Sequence, residues 1–237
     1  MNKYLVSAAL LAAGMELAGT ASATLIVRPG GMVYDTDRNI TWLSDANYAA
    51  TQYAQSGGTL GDADGLMNWT AAATWASNLA YGGYDDWRLP TTTDTGAPGA
   101  QCTYNGTDCG FNVNPGTSEL AHLFFVELGN LSTYDTFGTF RGGSSGVNWG
   151  VVNTGPFTNL QSLSYRTYWS GTEYALGTSL AWLFITSSGY QGDGFKSDAY
   201  FAWAVRDGDV AAVPEPATFA LMGLGLAGMA YRRKASA

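Results

Sequence analysis

The sequence predicts an α+β fold, loop-rich, with two helices set against small antiparallel sheets. Three observations carry this. Two segments place apolar residues at three- and four-residue spacing. Several short segments are β-branched, aromatic or alternating. Glycine, 31 of 237 residues, points to many turns and loops rather than long helices. With 46% hydrophobic, 14% aromatic and only 13% charged residues, most of the chain should fold rather than stay disordered.

The elements follow in order. Residues 24–27 are β-branched and read as a short strand, and Gly30-Gly31 as a turn. Residues 32–34 and 40–43 flank Asp35-Thr36-Asp37-Arg38-Asn39, which is rich in turn formers, so they form a hairpin. Residues 55–65 make a Gly/Asp loop. Trp69, Ala72, Ala73, Ala76, Leu79 and Ala80 give one apolar face to a helix over 69–81, capped by Asn68 and stopped by Gly82-Gly83. Residues 92–117, rich in Thr, Gly, Pro and Asn, read as an inserted loop. A second helix over 118–128 takes its period from Leu120, Leu123, Phe124, Glu127 and Leu128, with Thr117 or Ser118 as cap and Gly129 as stop. The remainder is β-rich, with strands expected at 149–153, 168–170, 180–186 and 199–206. In the last, Tyr200, Ala202 and Ala204 alternate with Phe201, Trp203 and Val205, as a half-buried strand would.

Both ends read as addresses. Lys3, an apolar stretch over 5–14 interrupted by Ser7, and the small-residue site Ala21-Ser22-Ala23 form a secretory signal peptide over 1–23, despite Glu16. An uncleaved N-terminal anchor is the alternative. At the other end Pro214-Glu215-Pro216 precedes an apolar run over 217–231 and the basic cluster Arg232, Arg233 and Lys234. The run falls short of the roughly 20 residues of a permanent spanning helix, and its basic flank should stay cytoplasmic. Residues 214–237 resemble the PEP-CTERM sorting signal of Gram-negative bacteria. The resemblance implies a transient inner-membrane stage, an exosortase as processing partner, a final place at the cell surface or in the extracellular matrix, and an association with exopolysaccharide and biofilm. An ordinary tail anchor is the competing reading. The only two cysteines, Cys102 and Cys109, lie in the 92–117 loop. In an exported chain they are expected to pair; a metal pair is the alternative, but two thiols without histidine neighbours make a poor site.

A second resemblance spans 24–213, with its motifs from about Gly31 to Asp207. Thr41-Trp42-Leu43, Gly65-Leu66-Met67-Asn68-Trp69, Asp86-Trp87-Arg88-Leu89-Pro90-Thr91, Tyr168-Trp169-Ser170-Gly171-Thr172-Glu173, Ala181-Trp182 and Ala202-Trp203-Ala204-Val205-Arg206 occur in one order. Together they resemble the Lcl C-terminal domain family, which is similar to the C-type-lectin-like superfold. The resemblance implies a C-type-lectin-like domain at the surface of a bacterium, most members having no assigned activity. The chain departs from it at 92–117, which separates the Leu-Pro-Thr motif from the second helix.

The net charge of −8 argues against nucleic acid as a partner. A single histidine, His122, excludes any multi-histidine metal site and most histidine-dependent catalysis. It is expected to be partly buried and satisfied on the second helix. Asp35, Asp37, Asp62 and Asp64 have the ligand type for calcium, but neither pair continues into a loop closed by Glu, so surface loops are expected and no metal or cofactor is assigned. Trp42, Trp69, Trp87, Trp169, Trp182 and Trp203 are expected in the core, and Arg88 and Arg206 in carboxylate clamps near Asp86 or Asp207. Trp149, Tyr190, Gln191 and Asp193 are the candidate ligand-binding residues, on a loop face that includes 92–117, 141–149 and 187–198. The last could equally be a plain hairpin tip. The expected function is that of an exported, non-enzymatic surface or matrix protein associated with exopolysaccharide. A protein-binding or structural adhesin module is the alternative, with a matrix-polymer-modifying enzyme behind it.

Overall fold

The computed structural model describes residues 25–95, 102–142, 148–162 and 166–210. The expected signal peptide and the sorting segment lie outside the described residues, as do parts of the 92–117 and 141–149 loops. The architecture is α+β and loop-rich, built on two sheets.

In the first sheet β1 (Leu25–Arg28) turns through Gly30 and Gly31, at φ 79° and 76°, into β2 (Met32–Asp35). These are left-handed conformations that glycine adopts without a Cβ penalty. The hairpin continues into β3 (Ile40–Leu43), with Met32 opposite Leu43 and Asp35 opposite Ile40. Its turn is tied locally: the backbone N–H groups of Asp37 and Arg38 both donate to Asp35 Oδ1, each at 3.0 Å. A late strand, β10 (Val205–Asp207), pairs antiparallel with β3 and completes the order β1-β2-β3-β10.

The second sheet has six strands. Its centre is the antiparallel run of β6 (Thr167–Glu173), β7 (Leu180–Ile185) and β8 (Tyr190–Phe195). On one side β9 (Tyr200–Phe201) pairs parallel with β6 and antiparallel with β4 (Leu66–Met67). On the other, β5 (Gly110–Phe111) pairs with β8. The 92–117 segment is therefore more than a loop: it supplies an edge strand. It is also tied across itself by Asp108, whose carboxylate accepts from the Thr95 N–H and hydroxyl.

Among the described residues three α-helices are present where two were expected. The unforeseen one, α1 (Tyr48–Gln55), buries only Ala49, its other residues being half-buried or exposed. Such a helix leaves no apolar stripe to read. The helix α2 (Trp69–Ser77) starts as expected, with Asn68 Oδ1 accepting from the Ala71 N–H, and buries Ala72 and Ala76. It stops at Asn78, before the glycine pair, and Leu79 reaches the core from outside it. The third, α3 (Glu119–His122), is capped by Ser118 Oγ on the Ala121 N–H. It continues not as α-helix but as a π-helix over Leu123–Glu127, closed by the Leu128 N–H on the Leu123 carbonyl at 2.9 Å.

Two strand expectations are corrected. Residues 149–153 form no strand; Gly150, at φ 74°, leaves the β region and only bridges Leu131. Residues 199–206 are not one half-buried strand. Every residue from Phe201 to Arg206 is buried, because here the chain leaves one sheet as β9 and enters the other as β10. Trp203, at the crossing, packs on Trp42 and Phe157 with ring centroids 4.9 Å apart, and on Tyr168 at 5.5 Å. Its indole N–H donates to the Leu43 carbonyl. Burying a ring of that size contributes on the order of 4 kcal/mol. The sheets therefore share a core through their aromatic residues.

Candidate functional site

The edge where β5 joins β8 sets up an exposed aromatic surface. Phe111 lies opposite Tyr190 in register, and their rings meet edge to face at 5.0 Å. The Cys102–Cys109 disulfide closes the short loop carrying Tyr104, and Tyr104 stacks on Phe111, with centroids 6.0 Å apart and planes 15° from parallel. Tyr134 packs on both, at 5.0 Å each. Asn112, at φ 50°, fixes this group by donating its amide N–H to the carbonyls of Tyr104 and Tyr134.

Beyond Tyr134 the chain turns around Asp135, whose Oδ1 accepts from the N–H groups of Phe137 and Thr139. The turn brings Phe140 to 5.6 Å from Tyr134, and Phe140 in turn lies 6.1 Å from Trp149. Tyr190, Phe111, Tyr104, Tyr134, Phe140 and Trp149 thus form one continuous row of rings. Tyr104, Phe140 and Trp149 are exposed, at 44%, 48% and 37%, and the other three are half-buried. An open groove of about 480 Å³ runs beside Trp149, lined by Thr133, Gly150, Val151, Ser162, Ile185, Ser187 and Ser188. A second, of about 310 Å³, lies among Cys102, Thr103, Tyr104, Phe111 and Tyr190.

Two of the four candidate binding residues, Trp149 and Tyr190, stand at the two ends of this row. Gln191 is corrected: it is fully buried, and its amide donates to the Asp108 carbonyl, fastening β8 to the 92–117 segment. Asp193 is exposed, but strand alternation puts it with Gln191 on the face of β8 opposite Tyr190. The segment carrying these residues is a strand, with its hairpin tip at residues 186–189. Tyr104, Phe111, Tyr134 and Phe140 were not among the candidates. They are scattered through turn-rich segments with no period, and only the topology brings them together.

The motif residues are structural. Trp42, Trp87, Trp169, Trp182 and Trp203 are buried, whereas Trp69 is half-buried under the Lys196 ammonium at 4.5 Å. The Trp169 indole donates to the Met67 carbonyl and that of Trp182 to Asp94 Oδ2. Arg88 forks onto both Glu119 carboxylate oxygens at 2.8 Å and also reaches Asp207. Arg206 forks onto Asp86 at 2.7 and 2.9 Å, which holds the Asp86 carboxyl below the usual carboxylate range. Arg206 thus clamps a carboxylate of another motif, and Arg88 clamps Asp207, directly after one, together with Glu119, which no motif indicated.

A separate cluster lies between the β2–β3 turn and the third helix. His122 Nε2 is 3.4 Å from Glu127 Oε1, 3.7 Å from Asp37 Oδ2 and 3.9 Å from Asp35 Oδ2. The side chains of Asp35, Glu127 and His122 are 0%, 2% and 8% exposed; Asp37 is exposed. Two expectations are overturned. Asp35 is not on a surface loop, because it ends a buried strand. His122 is not satisfied, because its Nε2 is buried without a hydrogen-bond partner, as are Asp35 Oδ2 and Glu127 Oε1. Burial pushes the Glu127 carboxyl up to about 7, with the charges of Asp35 and Asp37 adding to it. Burial likewise raises Asp35 and lowers His122, although Asp35 opposes the latter. One atom from each of Asp35, His122 and Glu127 lies within 4.8 Å of the others.

Residues 212–234 match the model of the PEP-CTERM protein-sorting motif. That motif marks an exported protein that an exosortase processes and sorts to the cell surface of a Gram-negative bacterium. No curated protein and no solved structure matches the chain.

Proposed function

We propose that this exported, exosortase-sorted protein is a non-enzymatic component of the cell surface or extracellular matrix that binds polysaccharide through its aromatic row. The continuous line of rings from Tyr190 to Trp149 carries the reading. Sugar rings present apolar C–H faces that stack on aromatic surfaces, while their hydroxyls need hydrogen-bonding neighbours. The groove beside Trp149 offers both, in the ring itself and in Thr133, Ser162, Ser187 and Ser188. Among the described residues its lining carries hydroxyl and apolar groups rather than an acid–base pair, which favours binding over hydrolysis. The net charge of −8 favours a neutral polymer over an acidic one.

On this reading residues 24–213 form a C-type-lectin-like domain of the Lcl C-terminal kind. The support is that the motif residues Trp42, Trp87, Arg88, Trp169, Trp182, Trp203 and Arg206 supply its core and its clamps. The 92–117 segment gives the domain a binding edge of its own.

Co-sedimentation of the purified protein with the producing organism's exopolysaccharide tests the reading. Binding should resist a chelator, because stacking on rings and hydrogen bonds to hydroxyls need no ion. Trp149→Ala and Phe140→Ala should each weaken it about tenfold with an unchanged melting temperature, since both rings are exposed. If the unaltered protein does not sediment even with excess polymer, the reading fails and a protein-binding or structural role takes its place.

A further inference from the structure

We propose that Asp35, His122 and Glu127 form a binding site for one divalent metal ion, zinc by its donor set, with the exposed Asp37 beside its mouth. The first observation is that three buried polar atoms, Asp35 Oδ2, His122 Nε2 and Glu127 Oε1, converge on one point and none has a hydrogen-bond partner. Buried polar groups are nearly always paired, so three orphans facing one another call for something between them. A proton shared by one pair would leave the third atom unserved.

The spacing fits an ion better than direct hydrogen bonds. The three separations from His122 Nε2, 3.4, 3.7 and 3.9 Å, exceed the usual hydrogen-bond range. Zinc bonds of 2.0–2.1 Å in a tetrahedron would set ligand atoms about 3.3 Å apart. Each carboxylate oxygen would then approach His122 Nε2 by up to about 0.6 Å, starting from three atoms that lie within 4.8 Å of one another. One imidazole nitrogen with carboxylate oxygens suits zinc; calcium takes oxygen ligands alone.

The backbone is arranged to make this possible. His122 and Glu127 are five residues apart, a spacing that an α-helix turns to different faces. The π-helix over Leu123–Glu127 widens the turn and brings Glu127 Oε1 alongside His122. Such π-turns are uncommon and concentrate at functional positions. Asp35 is oriented from behind: its Oδ1 takes two backbone N–H groups of the hairpin turn, leaving Oδ2 to point at the cluster. That is the outer-shell support a metal ligand requires. Arg38, the cation bearing on His122, has its guanidinium drawn aside by the carbonyls of Pro115 and Gly116. A bound ion would tie the first sheet's hairpin to the third helix, a structural role independent of the aromatic row.

The test is a calorimetric titration of the dialysed protein with zinc chloride at neutral pH, followed by nitrogen NMR of the imidazole. His122 is the only histidine in the chain, so its ring signals report this site alone. The expected result is about one equivalent of zinc, a shift of the His122 Nε2 resonance on titration and a raised melting temperature. Glu127→Gln and His122→Gln should each weaken binding at least about tenfold, and Asp62→Asn, in a distant acidic loop, should not. No zinc uptake by the unaltered protein, or uptake that leaves the His122 resonance in place, overturns the proposal without recourse to any variant. So does zinc binding of full strength in the well-folded substitutions.

Discussion

Arg88 shows how much one side chain joins. Its guanidinium holds Glu119 at the start of the third helix and Asp207 at the end of β10, while its backbone bridges Val205. A planar fork fits this pair of demands and an ammonium does not. Arg88→Ala should lower the unfolding free energy by about 3 kcal/mol, near the lower bound for breaking a buried pair because Arg88 keeps some solvent contact. Urea denaturation measures this, and Arg88→Lys should recover only part of it. Asp86 gives a pH dependence. Its folded-state pKa lies below the ordinary 3.8, through hydrogen bonding and charge from Arg206. Its stabilising effect is therefore complete above about pH 3.8 and fades as the pH falls through the lowered value. Asp86→Asn should lower the melting temperature at neutral pH and remove this part of the acid sensitivity. A melting-temperature profile that keeps its shape in the variant would contradict the assignment.

At the scale of elements, the 92–117 segment turns from an insertion into a part of the sheet. The disulfide spans seven positions of sequence and supports the turn that feeds β5. Replacing Cys102 and Cys109 together by Ser should cost about 2–3 kcal/mol, from the closure entropy of a short loop. The loss should fall on the aromatic row as well, so that polysaccharide binding weakens along with thermal stability. Gly110 makes a sharper case. Its φ is +115°, and a Cβ there would run into the backbone of Thr103. Gly110→Ala should unseat β5 from β8 and free Tyr104 and Phe111, which hydrogen exchange at the Gln191 backbone would detect. A protected amide would show that the edge strand tolerates the side chain. The hairpin of β2 and β3, the Asn68 cap and the Ser118 cap are legible in the sequence because each is a local contract between neighbours. Helix α1 is not, since it buries only one small residue, Ala49, and the π-turn is not, since its apolar residues look α-helical in one dimension.

The whole molecule combines a folded body with an address. The body presents an aromatic row assembled from four separate stretches of chain, and the C-terminal motif at 212–234 directs it to the cell surface. Altering Pro214-Glu215-Pro216 to alanines should stop exosortase processing and accumulate unprocessed precursor in the membrane fraction. Immunoblotting of fractionated cells reads this, and normal release would dissociate sorting from those residues. Substitutions in the row should leave processing untouched, because folding and sorting use different parts of the chain.

By itself the sequence determined the class of fold, the address at its C-terminal end, the disulfide pair and the buried role of five motif tryptophans. Each rests on local pattern, composition or residue chemistry. Only the tertiary structure decided which carboxylates Arg88 and Arg206 would clamp, that Gln191 would serve the core while Tyr190 joins the row, and that one histidine would meet three acids. Those outcomes depend on strand order and on a widened helical turn, which bring residues distant in the chain to within a few ångströms. Spacing along a chain carries no record of such meetings until the sheets are paired.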